Sequence, residues 1–167
     1  GSSAGQTNQG TAAIAIGSQA GRTNQQSGAI AIGDQAGSSA QGQSAIAIGQ
    51  NAARSNQQSA AVAIGLAAGQ FTQGTNAIAI GVSAGSSNQR TGCIAIGYQA
   101  GLLGFDPSGN SIAIGVNAGN NSQSFNAIAI GSNAGQTNQG IAAIAIGNLA
   151  GRSVQLAGAI AIGDQAG

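Results

Sequence analysis

The sequence predicts an all-β fold, a parallel β-solenoid of the β-roll type, and three observations predict it. A phrase close to AIAIG closes each of ten tandem units, and its final Gly falls at 17, 33, 49, 65, 81, 97, 115, 131, 147 and 163. Eight of those spacings are 16 residues and one is 18, too short for helix-pair repeats, which need roughly 30 residues. Inside the phrase β-branched Ile alternates with Ala, the two-residue period of a strand, and glycines stand at fixed places where the chain has to turn. Each unit therefore makes one coil, and equivalent residues stack into ladders about 4.8 Å apart.

Counted from Gly1, the unit reads G-x-x-A-G-x-x-N-Q-x-x-x-A-I-A-I. Position 1 is always Gly, position 4 is always Ala, and position 5 is Gly except at Ala53. The glycines at positions 1 and 5 mark where the chain must turn. Position 9 is Gln in every coil but the longer one (Gln9, Gln25, Gln41, Gln57, Gln73, Gln89, Gln123, Gln139, Gln155), while positions 6, 7 and 10 vary. A ladder of glutamines hydrogen-bonded amide to amide accounts for that constancy.

In the A-I-A-I strand the two Ile share one face and the two Ala the other. The expectation is that stacked Ile fill the coil interior, with Ala4, Ala20, Ala36, Ala52 and their equivalents packed across from them. The other face then lies outside as a flat alanine ladder: Ala15, Ala31, Ala47, Ala63, Ala79, Ala95, Ala113, Ala129, Ala145 and Ala161. Two buried Ile are little apolar burial for ordering a 16-residue coil, so an oligomer is expected through this alanine face, most simply a parallel bundle.

One unit departs from the rest. The 18-residue coil, Gly97 to Ile114, contains LLGFDPSGN, and Asp106-Pro107-Ser108-Gly109 is turn chemistry, so its two extra residues should bulge as a loop. Around it position 2 turns apolar in four consecutive coils, at Leu66, Val82, Tyr98 and Val116, where the other coils carry Ser, Asp, Asn or Gln. Charge at equivalent positions argues against an interior place, so these four side chains are expected to face solvent or a neighbouring chain. With Phe71, Leu102, Leu103 and Phe105 they are candidates for a partner-binding patch, or else they seal a corner around the bulge.

Composition narrows the function classes. The only charges are Arg22, Arg54, Arg90 and Arg152 against Asp34, Asp106 and Asp164, a formal net charge of +1, which gives no field for gripping nucleic acid. With no His, Glu or Lys, and Cys93 alone, general acids, bases, nucleophiles and metal-ligand clusters are scarce, so neither catalysis nor a cofactor or metal is expected. Cys93 stands where other coils have Ala and reads as a small packed residue or an interchain contact. Asn120-Asn121-Ser122 is an acceptor sequon that matters only on a eukaryotic secretory route. No apolar run approaches the about 18 residues that a membrane-spanning helix needs.

The phrases AIAIGSQAG, AIAIGDQAG and SIAIGVNAG resemble the head repeats of trimeric autotransporter adhesins, the YadA-like β-roll, and similar repeats of viral and phage fibres. The resemblance covers the whole chain. Family heads usually repeat about every 14 residues with an A-x-G segment, where this unit has 16 and A-G-x-x-N-Q. The resemblance implies an extracellular rod, at a cell or virion surface, that trimerises and serves attachment. Residues 1–167 are thus read as one solenoid domain, a segment of a longer array or a head-to-tail filament. Its expected function is a structural fibre or adhesin-like rod. The alternatives are a ligand-binding module using the apolar stripe, or an ice-binding surface, against which the lack of regular Thr rows argues.

Overall fold

A computed structural model describes residues 1–105 and 109–167, with the side chains of 104 and 105 also left aside. Among the described residues the secondary structure is β-strand and turn, wound into a parallel solenoid of stacked 16-residue coils. The A-I-A-I segments form one ten-stranded parallel sheet running in chain order from Ile14–Ile16 to Ile160–Ile162. Every strand pairs Ile to Ile and Ala to Ala with its neighbour, as in Ile30↔Ile46 and Ala31↔Ala47.

The second wall is built from positions 7 to 9 and is polar. Strands Thr7–Gln9, Thr23–Gln25, Ser39–Gln41 and Ser55–Gln57 make one sheet, and Leu103–Phe105, Asn121–Gln123 and Thr137–Gln139 another. Single bridges, Gln57↔Gln73, Gln73↔Gln89 and Ser87↔Leu103, span the gap between them. Position 8 explains part of the interruption. Asn8, Asn24, Ala40, Asn56, Asn88, Ser122 and Asn138 all adopt positive φ there. Thr72 and Val154 are β-branched, disfavour that left-handed conformation, and lie outside the set of positive-φ residues. Their coils are reduced to isolated bridges at Gln73 and Gln155.

The faces of the A-I-A-I strand are the reverse of those expected. Ala31, Ala47, Ala63, Ala79, Ala95, Ala113, Ala129 and Ala145 are wholly buried, Ala161 is nearly so, and Ala15 packs against them. They form the core together with Ala20, Ala36, Ala52 and the other position-4 alanines. The isoleucines point outward. A Cβ placed on Gly69, at position 5, would come within 3.3 Å of the Ala63 Cβ across the interior, and one on Gly119 within 3.2 Å of Ala113. Two walls that close admit Ala opposite Gly and leave no volume for Ile. An external alanine face for oligomerisation therefore does not exist in this fold.

The glutamines fill the remaining width. Gln25, Gln41, Gln57, Gln73, Gln89, Gln123 and Gln139 are the large side chains that are fully buried. The Gln41 Nε2 donates to the Ile30 carbonyl at 2.7 Å, to the Ala45 carbonyl at 3.2 Å and to Gln57 Oε1 at 3.1 Å. Position 9 thus ties the polar wall to the apolar one and each coil to the next. The amide ladder expected from the sequence runs from Gln9 to Gln89. Beyond the long coil Gln123, Gln139 and Gln155 keep both carbonyl partners, but their Oε1 atoms accept no hydrogen bond from a described residue.

The extra residues of the long coil leave the main sheet undisturbed. Ile94 pairs with Ile112, 18 residues on, while Ser87 still pairs with Leu103 at the ordinary interval of 16. Phe105 pairs with Gln123, again 18 apart, so the extra length enters between Phe105 and Ile112. The expected turn at Asp106-Pro107-Ser108 lies outside the described residues.

Position 1 shows how tightly the coils stack. Gly81 has φ +125°, and a Cβ there would meet the Gly97 carbonyl oxygen at 2.6 Å. At Gly158, φ is +69° and nothing lies within 4 Å. Replacing Gly81 by Ala should cost about 3 kcal/mol or more, since strain and a backbone clash add. Gly158→Ala should cost at most about 1–2 kcal/mol, because Ala12, Ala60 and Ala142 already take positive φ at that position. Urea unfolding of the two variants measures the difference. The glutamine ladder makes a second expectation: Gln57→Leu should lose about 2–4 kcal/mol through unpaired neighbours, while Gln58→Leu, one residue on and exposed, should stay within about 0.5 kcal/mol.

Candidate interaction surfaces

With Ala, Gly and Gln inside, the chain's larger apolar side chains are left for the surface. Ile14 and Ile16 follow Gln9 and the turn at positions 10 to 12, and their equivalents stack in two parallel rows on the outer face of the ten-stranded sheet. The rows are half-buried by their own neighbours in the middle coils and open at the ends, where Ile16 is 57% and Ile162 64% exposed. At about 4.8 Å per strand and about 7 Å between the rows, the ten strands spread them over about 340 Å². That is the size of the largest apolar patch on an ordinary monomeric protein, the kind that often serves an interaction.

Position 2 lies on the corner directly after this face. Leu66, Val82, Tyr98 and Val116 are all exposed, by 41 to 50%, so the stripe faces outward as expected and widens the apolar band in four consecutive coils. The remaining candidates do not join it. Phe71 and Leu103 occupy position 7, on the polar wall, and are exposed there. The Arg54 guanidinium sits 5.2 Å from the Phe71 ring centroid, a cation–π contact that covers part of the ring. Leu102 is half-buried, and the Phe105 side chain lies outside the described residues. The candidates with described side chains thus do not form one patch: the stripe lies at one corner and Phe71 and Leu103 on the polar wall.

Interior polar chemistry is structural. Ser111, which replaces Ala at position 13, is fully buried and donates to the Ser124 carbonyl at 2.7 Å. Cys93 occupies the same position, fully buried, so it is a packed core residue and not an interchain contact. Burial pushes its thiol above the ordinary 9.0 and outweighs the opposing backbone hydrogen bonds and the charge of Arg90. The thiolate is therefore disfavoured where the chain is folded.

Two features were missed in the sequence. The outward Ile rows could have been found by asking what fits opposite Gly5 and Ala4 in a coil with two three-residue strands. The other is an alternation at position 10, where Gly10, Gly42 and Gly74 alternate with Gln26, Gln58 and Arg90. No protein-family model, no curated protein and no solved structure matches the chain.

Proposed function

We propose that the chain is a structural rod, a segment of an extracellular fibre or adhesin-like assembly, in which parallel copies pack through their isoleucine faces. The observation that carries this reading is the uncovered band of paired Ile rows along the ten-stranded sheet. A soluble protein gains little from displaying Ile in strict register, whereas a bundle buries every row against a neighbour at once. The likeness of the repeat to trimeric autotransporter heads supports three chains per bundle and a place at a cell or virion surface. The Leu66, Val82, Tyr98 and Val116 stripe, beside the Ile rows, broadens the contact in the central coils.

Sedimentation velocity tests the assembly. The protein should sediment as an oligomer, and Ile80→Lys with Ile96→Lys should reduce it to a monomer whose far-ultraviolet circular dichroism is unchanged. Ala79→Arg, one residue away but in the core, should unfold the coils instead. A wild-type chain that stays monomeric up to its solubility limit overturns the reading.

A further inference from the structure

The corner between the polar wall and the Ile sheet carries a concave groove of about 780 Å³ across the first four coils. Its floor is set by the alternation at position 10. A Cβ on Gly42 would meet the Ser59 backbone nitrogen at 2.5 Å, and Gly10 faces the same obstruction from Ser27. Position 10 therefore alternates between Gly and a side chain. Gln26 and Gln58 stand as posts two coils apart, about 9.6 Å on the strand spacing, with Gln43 between them. Ala40 stands in the lining where Asn8 and Asn24 hold the same place, which opens the groove further.

The lining has a definite chemistry. No charged side chain contributes to it. Gln26, Gln43 and Gln58 are exposed, and they and the hydroxyls of Ser27 and Ser59 make no side-chain hydrogen bond to another described residue. The groove thus presents unspent amide donors, amide acceptors and hydroxyls at a regular spacing. The backbone beneath is already occupied coil to coil, as in Gln26 N–H to the Gln41 carbonyl at 2.9 Å and Ser44 N–H to the Ser27 carbonyl at 3.0 Å. No free strand edge is offered along the groove for a peptide to extend.

We propose that this groove binds an extended neutral oligosaccharide lying along the solenoid axis. Sugar hydroxyls both donate and accept, which matches carboxamides that do the same. An extended β-linked glycan turns alternate residues over, so it shows one face every second residue, the same alternation as the Gln26 and Gln58 posts. A polyanion or polycation would meet no counter-charge here, and an apolar ligand would leave the amides unpaired. The site is separate from the isoleucine face and does not rest on self-association.

Isothermal titration of the full chain with cellohexaose and chitohexaose tests the proposal, with polygalacturonate as the charged control. Saturable binding of either neutral probe is expected, with at least about a tenfold loss of affinity in Gln26→Ala/Gln58→Ala, the equivalent of two neutral hydrogen bonds. Gln50→Ala, an exposed glutamine on the other corner, should bind as the wild type does. Should the glutamine variant be misfolded by circular dichroism, Gln43→Trp, which fills the groove, carries the same expectation. Absence of binding by both neutral probes, preference for polygalacturonate, or binding indifferent to the groove variants overturns the proposal. Assembly is read separately by sedimentation, so loss of one function does not mimic loss of the other.

Discussion

The interior of this solenoid is one glutamine carboxamide deep, and the rest of the structure follows from that depth. Each buried Gln reaches from the polar wall to the carbonyls of the A-I-A-I strand, as Gln57 does to Ile46 and Ala61 at 2.8 and 3.1 Å. For that reach to work, the residue four positions earlier can carry a methyl group at most. A Cβ on Gly21 would lie 2.5 Å from the Gln25 Oε1, and on Gly37 2.8 Å from that of Gln41. Glycine at position 5, alanine at positions 4, 13 and 15, and glutamine at position 9 are one interlocking choice. Ala53 is the sole replacement at position 5, and Gln57 beside it keeps all three hydrogen bonds.

A core of amides and methyl groups yields little hydrophobic stabilisation, so backbone pairing has a larger share of the work. The corners show it. Position 3 takes Ser, Gln, Asn, Ala or Leu at φ near +55°, although left-handed backbone costs an ordinary residue about 1–2 kcal/mol. In return its N–H donates to the coil before, as Gln19 does to the Ser2 carbonyl at 2.7 Å and Leu149 to Ser132 at 2.8 Å. Strain recurs in every coil and is offset by the same bond in every coil after the first. Position 8 obeys the same logic less strictly, which is why Thr72 and Val154 interrupt the polar sheet without breaking the stack.

The fold was legible in the sequence because a fixed period with strand alternation leaves few other architectures. Which face of the strand turns inward was not legible from hydrophobicity, since the rule that large apolar residues go inside assumes an interior with room for them. Position 9 held the contrary signal. A turn glutamine free in solvent would vary as positions 6 and 7 do, and this one is constant because it is the core. The stripe at position 2 was placed correctly by a different argument, that Asp34 and Asp164 share its position and a thin core cannot take an unpaired carboxylate. Phe71 and Leu103 were grouped with it by nearness in the chain, whereas in a solenoid the position within the coil decides which wall a residue joins.

That last rule also separates what can change from what cannot. The interior positions are held by neighbours above and below, so a substitution there must be matched in chemistry, as the Ser111 hydroxyl is by the Ser124 carbonyl. Added length is accepted only where it avoids the stacked strands, and the long coil takes its two residues between Phe105 and Ile112 while Ile94 and Ile112 stay in register. Positions 2, 7, 10 and 11 face outward and carry the variation along the chain: the apolar stripe, the Arg54–Phe71 contact and the glutamine posts of the groove. A repeat whose core fixes the rod and whose corners are free to differ from coil to coil can display several distinct surfaces without altering the scaffold beneath them. The Ile rows are the exception among outward positions, constant but for Val62, and the proposed packing of parallel copies would account for that constancy.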